Sequence, residues 1–203
     1  MCKTFSGIGK KDGELLFIPS IDSHEDYINI FNLNDNGIRK EFVRLEYVPE
    51  NGDYSDLAQY HLTIDECQVN QIDWLTEELK EIWINHFKNT IERLIITGKR
   101  HCLFDSCYIL KNAEIRKLIN CKIIYAGSAT IKDAGSATIE DAGSATIKDA
   151  GSATIEYANS ATIEYANSAT IEYANSATIK YANSATIEYA NSATIEYANS
   201  ATI

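Results

Sequence analysis

No run of eighteen apolar residues occurs in the 203-residue chain, and a helix needs about twenty to cross a bilayer. The opening Met-Cys-Lys-Thr-Phe-Ser lacks the charged-then-apolar build of a secretory signal. A cytoplasmic location without a membrane partner is the expectation. Positive charge is also scarce, with 18 Lys and Arg against 29 Asp and Glu and a net charge of −11. The part before Tyr125 holds 15 basic and 20 acidic residues, and the part from Tyr125 onward holds 3 and 9. Neither part offers the basic surface that a phosphate backbone requires, so direct nucleic-acid binding is not expected.

Cysteine and histidine are present but unpatterned. Cys2, Cys67, Cys102, Cys107 and Cys121 are an odd number at irregular spacings with no C-x-x-C pair, which points to neither a disulfide framework nor a zinc site. His24, His61, His86 and His101 show no H-x-x-x-H or H-E-x-x-H spacing, and the group His101, Cys102 and Cys107 matches no standard ligand pattern. His86 lies beside the apolar stripe of a long helix and reads as a packed histidine. Cys2 could act as an N-terminal nucleophile of the kind seen in glutamine amidotransferases, but Lys3 breaks their Met-Cys-Gly opening. Gly7-Ile8-Gly9 is followed by two lysines without the rest of a phosphate loop, and reads as a strand entering a hairpin. No catalytic residue, metal or cofactor is indicated, and the chain reads as a non-enzyme.

What the chain has in abundance is repetition. Ser-Ala-Thr-Ile occurs ten times, from Ser128 onward, every eight residues to Ile203. Thr and Ile are β-branched, and Gly or Asn interrupts each unit, which is strand and turn chemistry. Alternation along a strand puts Ala129 and Ile131 on one side and Ser128, Thr130 and Lys132 on the other; the apolar set is the inside. The fold class predicted is a small α+β N-terminal domain followed by a β-solenoid of eight-residue repeats, with two octads per coil and about five coils. Three octads per coil would leave an interior that one Ala and one Ile each fill poorly.

Comparison among the repeats refines the positions. The residue before Ser is Gly in the first four octads (Gly127 to Gly151) and Asn in the next six (Asn159 to Asn199); both tolerate a left-handed backbone, so this site is read as the positive-φ corner. The position two after Ile is Asp133, Asp141 and Asp149 and then Tyr157, Tyr165, Tyr173, Tyr181, Tyr189 and Tyr197. A site that takes an unpaired carboxylate or a large ring faces water, so the tyrosines form an exposed column, packed on each other at the strand spacing. With two octads per coil, Glu140, Glu156, Glu172 and Glu188 form one acidic column, while Lys132, Lys148, Glu164, Lys180 and Glu196 form the other.

The repeat frame extends backward through Cys121 and Ile123 to Ala113 and Ile115, with Cys121 as an inward small residue. Domain bounds are therefore 1–96 for an α+β cap, 97–124 for irregular first coils and 125–203 for the regular solenoid. Within the cap, a hairpin over Thr4 to Pro19 turns at Lys10 to Gly13. A short helix opens at Ser23 with Asp26 three later and runs through Asn32, and strands span Glu41 to Val48 and Tyr60 to Ile64. A long helix runs from Trp74 to Ile95 with Asp73 as N-cap and Leu75, Leu79, Ile82, Trp83, Phe87, Ile91, Leu94 and Ile95 on one stripe. Its duty is to pack on the small sheet or to cover the first coil.

The opening Met-Cys-Lys-Thr-Phe-Ser, the Asp22-Ser23-His24 helix entry and the Ser-Ala-Thr-Ile-Lys-Asp-Ala-Gly array resemble a group of uncharacterised bacterial and bacteriophage proteins with a small N-terminal domain and a repetitive tail. That resemblance implies little about activity; for a phage-encoded chain it would place the protein in the host cytoplasm. The array is also similar in principle to pentapeptide-repeat solenoids, some of which mimic duplex DNA, although the period differs. Three functions follow as expectations. The first is a non-enzymatic scaffold presenting Tyr, Thr and Glu columns to a protein partner. The second is an acidic, DNA-mimic-like inhibitor of a host or defence protein, and the last is ice or surface binding, which the charged Glu and Lys neighbours disfavour. Self-association as a homodimer is expected through Ile195, Ala201, Thr202 and Ile203, at the strand edge of the final coil.

Overall fold

The computed structural model describes residues 4–34, 41–65 and 72–203, so Cys2 and Cys67 lie outside the described residues. The chain forms two compact units, Met1–Arg93 and Leu94–Ile203.

The first unit holds a four-stranded antiparallel sheet in the order β2-β1-β3-β4, made by β1 (Ser6–Lys10), β2 (Leu15–Leu16), β3 (Phe42–Pro49) and β4 (Tyr60–Ile64). Lys10 to Gly13 form the expected hairpin turn, with Gly13 at φ +90° and its N–H donated to the Lys10 carbonyl. Helix α1 (His24–Ile30) starts where Ser23 Oγ accepts the Asp26 N–H, and it ends two residues before the expected Asn32. A 3-10 turn at Leu57–Gln59, capped by Asp56, leads into β4.

Helix α2 (Glu77–Leu94) begins three residues later than expected. Thr76, not Asp73, caps it by accepting the Leu79 N–H at 3.3 Å. Trp74 packs edge-on to Trp83 with ring centroids 6.5 Å apart; at 3.6 residues per turn, a helical Trp74 would stand on the opposite side from Trp83. α2 packs on the small sheet, one of the duties foreseen for it. Phe87 stacks on Tyr47 of β3 at 5.3 Å, and Trp83 presses so closely on β1 that a Cβ at Gly9 would stand 2.7 Å from its ring. The Gly7-Ile8-Gly9 segment is thus a strand thinned to admit an indole.

Two stripe assignments need correction. Ile82 is 46% exposed and His86 is exposed, because both lie about 100° or more around the helix from the centre of the Trp83, Phe87 and Ile91 stripe. His86 is therefore not a packed histidine.

The second unit is a parallel β-solenoid of about six turns with repeats of about 16 residues, or two octads. It starts at β5 (Ile95–Phe104), directly after α2, which ends one residue before the expected Ile95, and continues through β6 (Cys107–Ile119) and β7 (Lys122–Tyr125). Four-residue strands follow every eight residues: β8 (Thr130–Asp133), β9 (Thr138–Asp141), β10 (Thr146–Asp149), β11 (Thr154–Tyr157) and β12 (Thr162–Tyr165). Then come β13 (Thr170–Tyr173), β14 (Thr178–Tyr181), β15 (Thr186–Tyr189) and β16 (Thr194–Tyr197). Odd-numbered strands from β7 stack as one sheet and even-numbered strands from β8 as the other, both joined to the long β6. Ile131 pairs with Ile147 and Ile139 with Ile155, so the offset is 16 residues throughout the regular part. The first coils are tighter: Ile95 pairs with Ile109, an offset of 14, and Gly98 with Ala113, an offset of 15.

As far as Ile187, each octad buries three side chains. Ala129 and Ile131 point inward as expected, and so does the Ala before each corner, such as Ala126, Ala134 and Ala142, all fully buried. Leu110 and Leu118, also fully buried, stand 16 residues before Ala126 and Ala134, so larger residues fill the same inner site in the early coils. The resulting core is a continuous ladder of Ile and Ala down the axis.

The corners differ from expectation. Gly127, Gly135, Gly143, Gly151 and Asn159 have positive φ, between +45° and +56°, but from the next octad the positive φ belongs to Ser168, Ser176, Ser184, Ser192 and Ser200. The turn peptide has flipped. Ser144, Ser152 and Ser160 donate their N–H back to Gly127, Gly135 and Gly143 of the preceding coil, whereas Ser168, Ser176 and Ser184 donate forward to Asn183, Asn191 and Asn199. Asp explains the first arrangement: Asp133, Asp141 and Asp149 each accept the N–H of the Gly two residues on, at 2.7 to 2.9 Å, and are not unpaired carboxylates. Tyr at that site offers no such acceptor, and Asn side chains instead bond down the axis, Asn183 to Asn167 and Asn199 to Asn183. Asn159 keeps the early geometry, and its amide donates to Asp141 of the coil before; Asn167 stands at the same offset from Asp149 but its octad takes the other turn.

A serine in the left-handed region is strained, at about 1 kcal/mol or more. Ser168→Gly is therefore expected to stabilise the solenoid by about 1 kcal/mol. Ser144→Gly, where φ is not positive, should give no gain and lose a little through chain entropy. Urea midpoints followed by circular dichroism check the pair; equal shifts would contradict the flipped turn.

Candidate binding surface

Strand pleat decides what faces outward. With Ala and Ile inside, Thr and the residue after Ile project from each sheet, and the Asp or Tyr that follows stands at the corner, where the chain leaves the sheet. One Tyr per octad and two octads per coil produce two Tyr stacks. On the odd-strand sheet Tyr157, Tyr173 and Tyr189 lie with ring centroids 5.0 and 4.9 Å apart and planes within 9° of parallel. On the even-strand sheet Tyr165, Tyr181 and Tyr197 lie 5.0 and 5.1 Å apart. The separations fall in the range where aromatic pairs attract beyond their buried area. Outer rings such as Tyr189 and Tyr197 are about half exposed, at 50% and 52%. The expected single line of rings is thus a pair of ladders on two faces.

The charged columns follow the same register. Glu156, Glu172 and Glu188 stand beside Tyr157, Tyr173 and Tyr189. The first carboxylate in the line, Glu140, is largely covered and paired with Lys122 at 2.5 Å. Burial, and then the Glu156 charge, pushes the Tyr157 phenol above its ordinary value; Glu172 is the main cause for Tyr173. On the even sheet Lys180 Nζ lies 5.3 Å from the Tyr181 ring centroid, a cation–π contact.

A charge cluster that the repeat pattern did not reveal sits at the irregular coils. Glu114 of β6 bridges Lys99 at 2.8 Å and Lys132 at 2.7 Å, and Lys117 reaches Asp133 at 3.5 Å. Residue spacing alone could not find it, because the offset of Lys99 from Glu114 is 15 and that of Lys132 is 18. The two ammonium groups, Lys132 first, hold the Glu114 carboxyl down to about 2. Since the folded value lies below the ordinary 4.5, this contribution is fully present above that value and is lost as pH falls through about 2. The Glu114 carboxyl carbon is expected to titrate near pH 2 by NMR and to return toward the ordinary range when Lys99 and Lys132 are both replaced by Ala. A midpoint near 4 in the parent protein would contradict the bridge.

The remaining candidates are structural in their surroundings. Cys107 and Cys121 are buried, and burial raises both thiols; Cys121 occupies an inner site of the solenoid. His24 contacts the Leu45 carbonyl at 2.9 Å, and His61 and His101 are exposed. Among the described residues no three His, Cys, Asp or Glu side chains come together in a metal-holding arrangement. Ile195 and Ala201 are half-buried on the last coils, where Thr202 bridges to Thr186, and Ile203 is 61% exposed. No helix among the described residues is long and apolar enough to cross a membrane. Comparisons with protein-family models, curated proteins and solved structures find no match to this chain.

Proposed function

We propose that the protein is a non-enzymatic binding or scaffold protein whose solenoid presents columns of Tyr, Thr and Glu to a protein partner. The observation that carries this reading is the pair of Tyr stacks, held at 4.9 to 5.1 Å on a repeating frame. Tyr is among the residues enriched at protein interfaces, because it supplies large contact area with a polar tip at small entropic cost. Here the side chains are already ordered by stacking, which lowers the cost of docking further.

The acidic-inhibitor reading has one observation in its favour, the Glu156, Glu172 and Glu188 column. Its carboxylates recur once per coil, at about 4.8 Å, whereas phosphates along one DNA strand recur about every 3.4 Å of the duplex axis. The mismatch favours a partner that reads rings and carboxylates together.

Affinity capture with the full chain tests the reading. A partner captured by the parent protein should be lost when Tyr157, Tyr165, Tyr173, Tyr181, Tyr189 and Tyr197 are all replaced by Ser. Capture of the same partner by the substituted chain would overturn the proposal, and displacement of that partner by duplex DNA would favour the inhibitor.

A further inference from the structure

The two sheets carry equivalent Tyr stacks but unlike neighbours, and the difference identifies one face and its ligand. On the even sheet Lys180 Nζ reaches to 5.3 Å from the Tyr181 centroid. Tyr181 is the middle ring of its stack, with neighbours at 5.0 and 5.1 Å on either side. A cation therefore gains access to a ring even inside a column.

The octad before Lys180 places Glu172 at the equivalent site on the odd sheet, and its two axial neighbours there are Glu156 and Glu188. No Lys or Arg occurs in the four odd-sheet octads 136–143, 152–159, 168–175 and 184–191. Lys122 of β7 pairs with Glu140 at the first rung; beyond it that face has three stacked rings and three carboxylates in register, and its octads hold no cation. Like charges stacked on adjacent strands repel, and a cationic ligand relieves the repulsion.

We propose that the odd-strand face docks an arginine-bearing extended segment of a basic partner protein, with guanidinium groups at the Tyr157 and Tyr189 rungs paired to Glu156 and Glu188, and with Tyr173 and Glu172 on the rung between them. Arginine suits this face better than lysine, because its planar fork both stacks on aromatic rings and matches a carboxylate. The spacing selects a conformation. Every third residue of a polyproline II segment recurs at about 9.3 Å, close to the roughly 9.6 Å spanned by two rungs of the ladder. An Arg-x-x-Arg pattern therefore meets alternate rungs. The inference rests on the reading of the solenoid as a protein-binding surface and narrows it to one face and one ligand chemistry.

The test uses the full chain and a fluorescent (Arg-Pro-Pro)4 peptide, followed by anisotropy. Saturable binding is expected that weakens with salt. It should weaken at least tenfold when Tyr157, Tyr173 and Tyr189 are replaced by Ser, and less than threefold when Tyr165, Tyr181 and Tyr197 are. Both sets leave the net charge unchanged, so attraction to an acidic chain in general cannot produce the difference. A (Lys-Pro-Pro)4 peptide should bind at least fivefold more weakly than the arginine peptide. Replacing Glu156, Glu172 and Glu188 by Gln keeps the rings and should also cost at least tenfold, which covers the case in which Tyr removal disturbs the fold. No binding, or equal effects on the two faces, would overturn the inference. If equal effects are found while the captured partner still requires the six tyrosines, the docking face is wrong and the binding reading stands; if the partner is also indifferent, both fall.

Discussion

Replacement of Ile163 by Ala is expected to destabilise the solenoid by about 2 to 5 kcal/mol, the range for truncating a fully buried large aliphatic residue. Ile163 has no exposed surface and lies between Ile147 and Ile179 in the even-sheet ladder. Its neighbours are Ile and Ala, whose side chains are held by strand pairing on both sides, so they cannot collapse into the space left behind. Each coil contacts mainly the coils before and after it, and a weak coil in the middle breaks the nearest-neighbour coupling on which a solenoid depends. The same substitution at Ile195, which is only half-buried, should cost less than about 1 kcal/mol by the same area argument. Urea midpoints and slopes for the two variants test the gradient. Equal losses would mean that the interior is not the continuous dry ladder described.

The second large effect is expected at a corner. Gly151 has φ +55°, and a Cβ there would stand 2.8 Å from the Gly135 carbonyl oxygen of the preceding coil. The contact is with backbone in the hydrogen-bonded stack, which cannot rotate away as a side-chain tip would. Gly151→Ala therefore adds left-handed strain to an overpacking cost, for a total of about 2 to 5 kcal/mol. Gly151→Asn should cost about 1 kcal/mol less, because Asn tolerates the left-handed region although its Cβ meets the same carbonyl; Asn159 makes this turn over Gly143 at φ +45°. Thermal denaturation of the two variants separates the cases; an Asn variant as unstable as the Ala variant would refute the account of the turn.

Much of the solenoid was legible in the residues because the period is strict and each position is sampled ten times within one chain. Inward Ala and Ile, the two-octad coil and the stacked tyrosines all follow from alternation, residue volume and strand spacing. The early coils were not legible in the same way, since their offsets of 14 and 15 break the period. A signal was present nonetheless: Gly98, Asp105, Asn112, Asn120 and Gly127 recur at seven or eight residues, and all five have positive φ. Another signal was the pairing of residue types within an octad, Asp with Gly and Tyr with Asn, broken only by Tyr125 with Gly127. Reading those two sites together would have pointed to Asp as the turn acceptor.

In the first unit, local rules located the hairpin, the Ser23 cap and the two long strands, because each depends on contacts a few residues apart. The start of α2 did not follow such a rule. Asp73 is a good N-cap in isolation, but the edge-on packing of Trp74 against Trp83 places the boundary at Thr76.

By itself the sequence determined the period, the inner and outer positions and the pairing of octads into coils, since these depend on side-chain alternation and volume repeated without interruption. Only the tertiary structure decided which way each corner peptide points and which lysines meet Glu114. Those features depend on residues brought together by the stacking of coils, at offsets that no local pattern encodes.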